Sequence, residues 1–109
     1  MDEIVKAELL TELKDNLQIT WEDDVTDRSL VRFITSSKNV LNELCNGELE
    51  YAAGSTEREL LLERCRYMWN NATDSFRENY RKDLQRLSMK YAVKKFKEKE
   101  ADSSEQTTS

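Results

Sequence analysis

A chain of 109 residues is long enough for one small domain, and its 24 Leu, Ile, Val and Phe residues lift it above the composition of chains too charged to fold. With 36% charged residues, two cysteines, two glycines and neither histidine nor proline, it leaves no means of building a Ser-His-Asp or Cys-His site, a histidine-ligated zinc or a Gly-rich phosphate loop. Helix breakers are almost absent, so the fold class is all-α: a small bundle of about four helices with one short ordered loop and a flexible C-terminal tail.

The first helix is predicted over about residues 3 to 16, where Val5, Leu9, Leu10, Leu13 and Leu17 recur at helical spacing and Lys6, Glu8, Glu12 and Asp15 take the other face. A connector, Leu17-Gln18-Ile19-Thr20-Trp21-Glu22-Asp23-Asp24, follows and ends in carboxylates. Asp24 with Asp27 three positions on resembles a capping arrangement, in which a short side-chain oxygen takes an orphan backbone N–H. A calcium loop is the alternative, but Val25 and Arg28 interrupt the alternation of oxygen ligands and the turn glycine is missing. The second helix is predicted over about 25 to 45, with Leu30, Phe33, Ile34, Ser37, Leu41 and Leu44 along one side and small Ser36 and Ser37 permitting a close crossing. It stops at Asn46-Gly47, where the glycine suits a left-handed C-cap.

Residues 47 to 55 read as an ordered loop, possible contact-bearing ground between packed helices. Thr56-x-x-Glu59 is a capping box. It opens the strongest helical pattern: Leu60, Leu61, Cys65, Met68, Trp69, Ala72 and Phe76, then Tyr80, Leu84, Leu87, Tyr91 and Phe96. The poor helix formers Asn70 to Ser75 predict a kink or short turn within it. Asn71-Ala72-Thr73 matches a glycosylation acceptor but lies in helical sequence with no secretory signal ahead of it. Residues 1–97 make the expected helical domain. From Glu98 to Ser109 there is one alanine and nothing else to bury, which predicts a flexible tail.

Cys45 and Cys65 fall in the apolar pattern and read as buried free thiols of a protein made in a reducing cytoplasm. No apolar run reaches the roughly 18 residues of a membrane span, and Met1-Asp2-Glu3-Ile4 lacks a basic signal start. The expectation is a soluble protein with no membrane contact, no metal, no cofactor and no enzymatic activity. The net charge of −5 is unevenly spread: residues 1 to 55 carry −7, residues 56 to 100 carry +4 and the last nine carry −2. Candidate contact residues are therefore the acidic lead-in Trp21, Glu22, Asp23 and Asp24, the loop residues Glu48, Glu50 and Tyr51, and the basic set Arg77, Arg81, Lys82, Arg86, Lys94, Lys95, Lys97 and Lys99. The basic set fits an acidic protein neighbour or nucleic-acid phosphates. Tyr80, Tyr91 and Phe96 lie on the apolar stripe, as core residues do.

Two stretches carry a resemblance. Leu17 to Asp24 leading into Leu30-Val31-Arg32-Phe33-Ile34, and Arg66-Tyr67-Met68-Trp69-Asn70-Asn71-Ala72 followed by Phe76 to Leu84 and Lys90-Tyr91-Ala92-Val93, resemble the phage head-tail connector (adaptor) family, notably that of phages of Gram-positive hosts. The likeness covers about residues 4 to 96. It implies a closed, dodecamer-like homomeric ring at the head-tail junction of the virion, docked on the portal protein and receiving a stopper or tail-completion protein. DNA would pass through the lumen without sequence-specific binding, and the C-terminal segment would order on the portal. The runner-up is a small helical nucleic-acid-binding or regulatory protein using Arg77 to Lys99.

Overall fold

In the computed structural model, which describes residues 3–107 and side chains through Glu100, the chain forms five helices and no strand among the described residues: α1 (Glu3–Asn16), α2 (Asp24–Cys45), α3 (Thr56–Trp69), α4 (Thr73–Asn79) and α5 (Arg81–Thr107). Helix α1 buries Leu9 and Leu13 completely. It ends where Gln18 turns left-handed (φ 58°) and the Ile19 N–H donates to the Lys14 carbonyl at 2.9 Å. That back-bond satisfies an orphan carbonyl of the last turn, and it delivers the apolar Ile19 into the core.

Helix α2 starts one residue earlier than the carboxylate spacing predicts. Its N-cap is Asp23, not Asp24: Oδ1 accepts from the Val25 N–H and Oδ2 from the Thr26 N–H, each at 3.3 Å, and the Thr26 hydroxyl donates to Oδ2 at 2.8 Å. The Thr26 hydroxyl, with the two amides, holds the Asp23 carboxyl below its usual range. Asp27, expected to assist the cap, instead meets Lys14 at 2.6 Å and fastens α1 to α2. At the other end the left-handed residue is Asn46 (φ 55°), not Gly47, and the Gly47 N–H donates to the Asn42 carbonyl at 3.0 Å. Asparagine tolerates that conformation better than most side chains, which leaves the glycine free for another purpose.

The loop between α2 and α3 is part of the core. Leu49 is 3% exposed and Tyr51 is fully buried, while Glu48 and Glu50 point outward. The Tyr51 hydroxyl donates to Asn42 Oδ1 at 2.8 Å, and the same oxygen accepts from the Leu49 N–H at 3.2 Å. One α2 side chain thus pins the loop at two points. The cap of α3 is Ser55, whose hydroxyl accepts from the Arg58 N–H at 3.2 Å, so the cap lies one residue before the predicted Thr56, and Arg58 at the third position replaces the carboxylate a capping box needs.

Helix α3 buries Glu57, Arg58, Leu60, Leu61, Leu62 and Cys65, a wider sector than one stripe, because α1, α2 and α4 all pack on it. At its crossing with α2, Ser37 is fully buried, 3.6 Å from the Cys65 sulfur, and Arg64 Nη1 donates to the Ser37 hydroxyl at 3.0 Å. The small serine permits the close approach that the sequence predicts.

The expected turn after α3 is present, with Asn71 left-handed (φ 55°) and the Ala72 N–H returning to the Tyr67 carbonyl at 2.8 Å. A second break at Tyr80 raises the helix count from about four to five. It is mild, since Tyr80 N and Leu84 N keep their ladder bonds to Phe76 and Tyr80 at 2.9 Å. Its cause is tertiary. Tyr67, Phe76 and Tyr80 form a ring cluster with centroid separations of 4.9 to 5.9 Å, and the Tyr80 hydroxyl donates to Glu63 Oε2 at 2.8 Å. Over 98–107, expected as a tail, the backbone continues α5; the stretch lacks glycine and proline and opens on the good helix formers Glu98 to Ala101. Residues 108 and 109 of that expected tail lie outside the described residues.

Glu63 also accepts from Arg66 Nη2 at 2.7 Å, and this bond, with that of Tyr80, lowers its carboxyl below the ordinary 4.5. A depressed folded-state value stabilises above the unfolded value and is lost as pH falls through the folded one. The stability advantage of the wild type over Glu63→Gln is therefore expected to be constant above about pH 4.5 and to shrink below it, read from thermal melts across pH 2.5 to 7. A pH-independent difference would mean that the carboxylate charge contributes nothing there.

Candidate interaction surfaces

Among the described residues no group of His, Cys, Asp or Glu is arranged to hold a metal ion. Burial raises the Cys65 thiol to about 11, and burial followed by the nearby Glu57 raises Cys45, so both sulfurs stay protonated at neutral pH, poor nucleophiles held in the core as expected. No described helix is long and apolar enough to cross a membrane. What the fold presents outward is sets of charged residues around unpartnered apolar side chains.

The acidic lead-in is at the surface. Trp21 is 51% exposed, and Glu22 and Asp24 are exposed beside it, but Asp23 is committed to the α2 cap. In the loop, Glu48 and Glu50 are exposed as a contact role requires. Tyr51 is not, and its place among the candidate contacts is corrected: its ring fills the core and its hydroxyl is spent on Asn42.

The basic set lies on α4 and α5. Arg77 and Arg81 border a groove floored by Leu44, Leu84 and Met89; Arg81, Lys82 and Arg86 neighbour Glu78 and Asp83; Arg86, Lys90, Lys94 and Lys97 flank Met89 and Val93. Lys90 and Lys94 stand 5.8 and 5.6 Å from the centre of the Tyr91 ring. Lys95 departs from the set, because its ammonium reaches the Asn46 carbonyl at the end of α2. Lys97 and Lys99 are exposed.

Helix α5 has two apolar faces where the sequence reading has one. Tyr80, Leu84, Leu87 and Tyr91, at spacings of four, three and four, turn inward onto the bundle. The Tyr91 hydroxyl donates to Glu57 Oε1 at 3.0 Å, and burial with this bond raises it to about 12. Phe96, assigned to that stripe, is 63% exposed, because it stands five residues past Tyr91 and off the inward face. It joins Met89 (67% exposed) and Val93 (51%) on the outward face. The spacing 89, 93, 96 is itself helical and could have shown this face.

An acid-rimmed counterpart lies on α1, where the sequence reading has the acids but not the apolar residues between them: Glu3, Glu8, Glu12 and Asp15 surround Ile4, Ala7 and Thr11, with Ile4 71% exposed. Two of these acids are oriented from behind. The buried Arg58 donates through Nε and Nη2 to Glu12 at 3.0 and 2.8 Å and through Nη1 to Glu8 at 3.2 Å, while the carboxylate side chains remain 44% and 51% exposed. Burial lowers the Arg58 pKa, but the bonds to Glu12 and Glu8 outweigh it and the net shift is upward. No protein-family model, no curated protein and no solved structure matches the chain.

Proposed function

We propose that the chain is a structural subunit of a phage head-tail connector: a closed ring of about a dozen copies that docks on the portal, extends the DNA channel and receives a stopper or tail-completion protein in the virion. The observation that carries this reading is the outward face of α5. Three large apolar side chains, Met89, Val93 and Phe96, stay more than half exposed amid cations on a helix whose residues from Ala92 to Glu100 are all exposed. A contiguous apolar face of this kind marks a protein contact. The resemblance over residues 4 to 96 names the assembly. At 27 residues α5 is about 40 Å long, long enough to bridge neighbours.

The test is to mix the purified chain with the portal protein of the same genome and image the particles by electron microscopy. A second ring coaxial with the portal is the expected result; portal particles without added density beside free monomers would overturn the proposal. Glu22→Lys with Asp24→Lys is expected to weaken ring assembly more than folding, since a cation in the first turn of α2 costs up to about 1 kcal/mol, Asp23 being left alone because it caps α2. The nucleic-acid reading has Phe96 in its favour, exposed among Lys94, Lys97 and Lys99 as a base-stacking ring would be. It requires salt-dependent DNA binding that charge reversal at Arg81, Lys82 and Arg86 abolishes.

A further inference from the structure

The acid-rimmed face of α1 and the base-rimmed face of α5 match in length, are opposite in sign, and each carries exposed apolar side chains. From Glu3 to Asp15 the α1 strip spans about 18 Å, and from Arg86 to Lys97 the α5 strip spans about 17 Å. Each has an exposed seam at helical spacing: Ile4, Ala7 and the methyl-bearing Thr11, whose hydroxyl is turned to the Ala7 carbonyl, on one, and Met89, Val93 and Phe96 on the other. Four carboxylates flank the first and four cations the second. Of the other exposed apolar side chains, Val25 and Val31 on α2 are flanked by both signs (Asp27, Arg28, Arg32) and lack such a complement, while Trp21, Val40 and Leu44 lie outside α1 and α5.

We infer that the α5 face of one copy seats on the α1 face of the next. This deepens the ring reading above by naming the surfaces, and it stands on the charge match within the chain. With a net charge of −5, the acidic strip is a nearer match for α5 than an anionic lipid or nucleic acid, which the rest of the surface repels. Helix α1 packs on α2 and α3 whereas α5 packs on α2, so the two faces are different patches of the subunit. A contact between unlike patches does not stop at two copies. It propagates until it closes into a ring or continues as a filament. Arg58 serves the contact by holding Glu8 and Glu12 at the strip from its buried side.

The experiment uses two half-blocked full-length chains, Glu3→Lys/Ile4→Lys on α1 and Met89→Glu/Val93→Glu on α5, all at exposed positions. Sedimentation of the wild type at low salt is expected to show mass rising with concentration, and added salt is expected to reduce it. Each half-blocked chain alone should associate about tenfold more weakly or worse. Their equimolar mixture should form a dimer and nothing larger, because one intact α1 face then meets one intact α5 face and both chain ends are blocked. Circular dichroism melts matching the wild type show that the variants fold. A wild type that stays monomeric at every concentration, a half-blocked chain that still assembles, or a mixture that stays monomeric would each overturn the inference. So would binding of the wild type to phosphatidylglycerol vesicles or to duplex DNA, lost in Met89→Glu/Val93→Glu, in the absence of self-association. None of these outcomes depends on the portal, so docking on the portal succeeds or fails separately.

Discussion

Replacing Tyr51 by alanine is expected to lower the unfolding free energy by about 3–5 kcal/mol, a large part of what holds a domain of this size together. The ring is fully buried within a ten-residue loop and fills the space between that loop and α2. Its removal leaves a cavity that the loop, pinned separately at Leu49, collapses into only partly. Tyr51→Phe separates the ring from the hydroxyl: losing the bond to Asn42 is expected to cost about 1 kcal/mol, since the amide oxygen keeps the Leu49 N–H. Tyr51 is also left-handed (φ 55°), a conformation that costs any side chain about 1–2 kcal/mol and glycine nothing. Tyr51→Gly is therefore expected to be more stable than Tyr51→Ala, the reverse of the usual order. Urea unfolding of the three variants measures all these differences. A loss near 1 kcal/mol for alanine would show that the loop is a cover and no part of the core.

Arg58→Met is expected to cost about 2–3 kcal/mol and to release α1 before the rest of the bundle. The guanidinium joins α3 to Glu8 and Glu12 of α1 and to the Tyr51 carbonyl, at 3.3 Å, while its own side chain is 7% exposed. Breaking a buried ion pair typically costs about 3–5 kcal/mol. The figure is lower here because both carboxylates are about half exposed and water takes over their solvation. Lysine is a poor substitute, one point charge for a fork that meets three acceptors. Hydrogen exchange is the direct readout: α1 amides should exchange faster in Arg58→Met while α3 amides move only with global stability. Uniform acceleration along the chain would mean that Arg58 supports the whole core.

The sequence located α1, α2 and α3, left α4 and α5 as one kinked pattern ending near residue 97, and missed details that depend on neighbours. Helices α1 and α2 fall within a residue of the periodicity, because their stripes are regular and their ends carry polar cap residues. The caps slipped by one, Asp23 for Asp24 and Ser55 for Thr56, because two suitable oxygens stand side by side and only the backbone conformation of the earlier residue decides between them. The break at Tyr80 has no local signal, since the stacked Phe76 and the hydroxyl bond to Glu63 come from the fold. A loop position alone points Tyr51 to the surface, whereas the alternation Glu48, Leu49, Glu50, Tyr51 carries its burial. Of the candidate surfaces, the acids near Trp21 and the α5 cations were legible as charge. The seam on α5 had a signal in the helical spacing of Met89, Val93 and Phe96, whereas a lone Ile4 looks like any core residue until the bundle around it is known.

The loop glycine that did not cap α2 has a different use. A Cβ at Gly47 would lie 3.3 Å from the Lys95 ammonium, so the bare backbone makes room for that ammonium at the Asn46 carbonyl. The last turn of α2 contains no basic residue of its own. Lys95 of α5 supplies the cation that the negative end of the helix macrodipole favours. Position of α5 and integrity of the α2 terminus are thereby coupled, and coupling of this kind is reciprocal. Anything that draws α5 outward removes a charge from α2, and anything that frays α2 loosens α5, so a contact made on α5 is registered at the end of α2 without any contact between partner and α2.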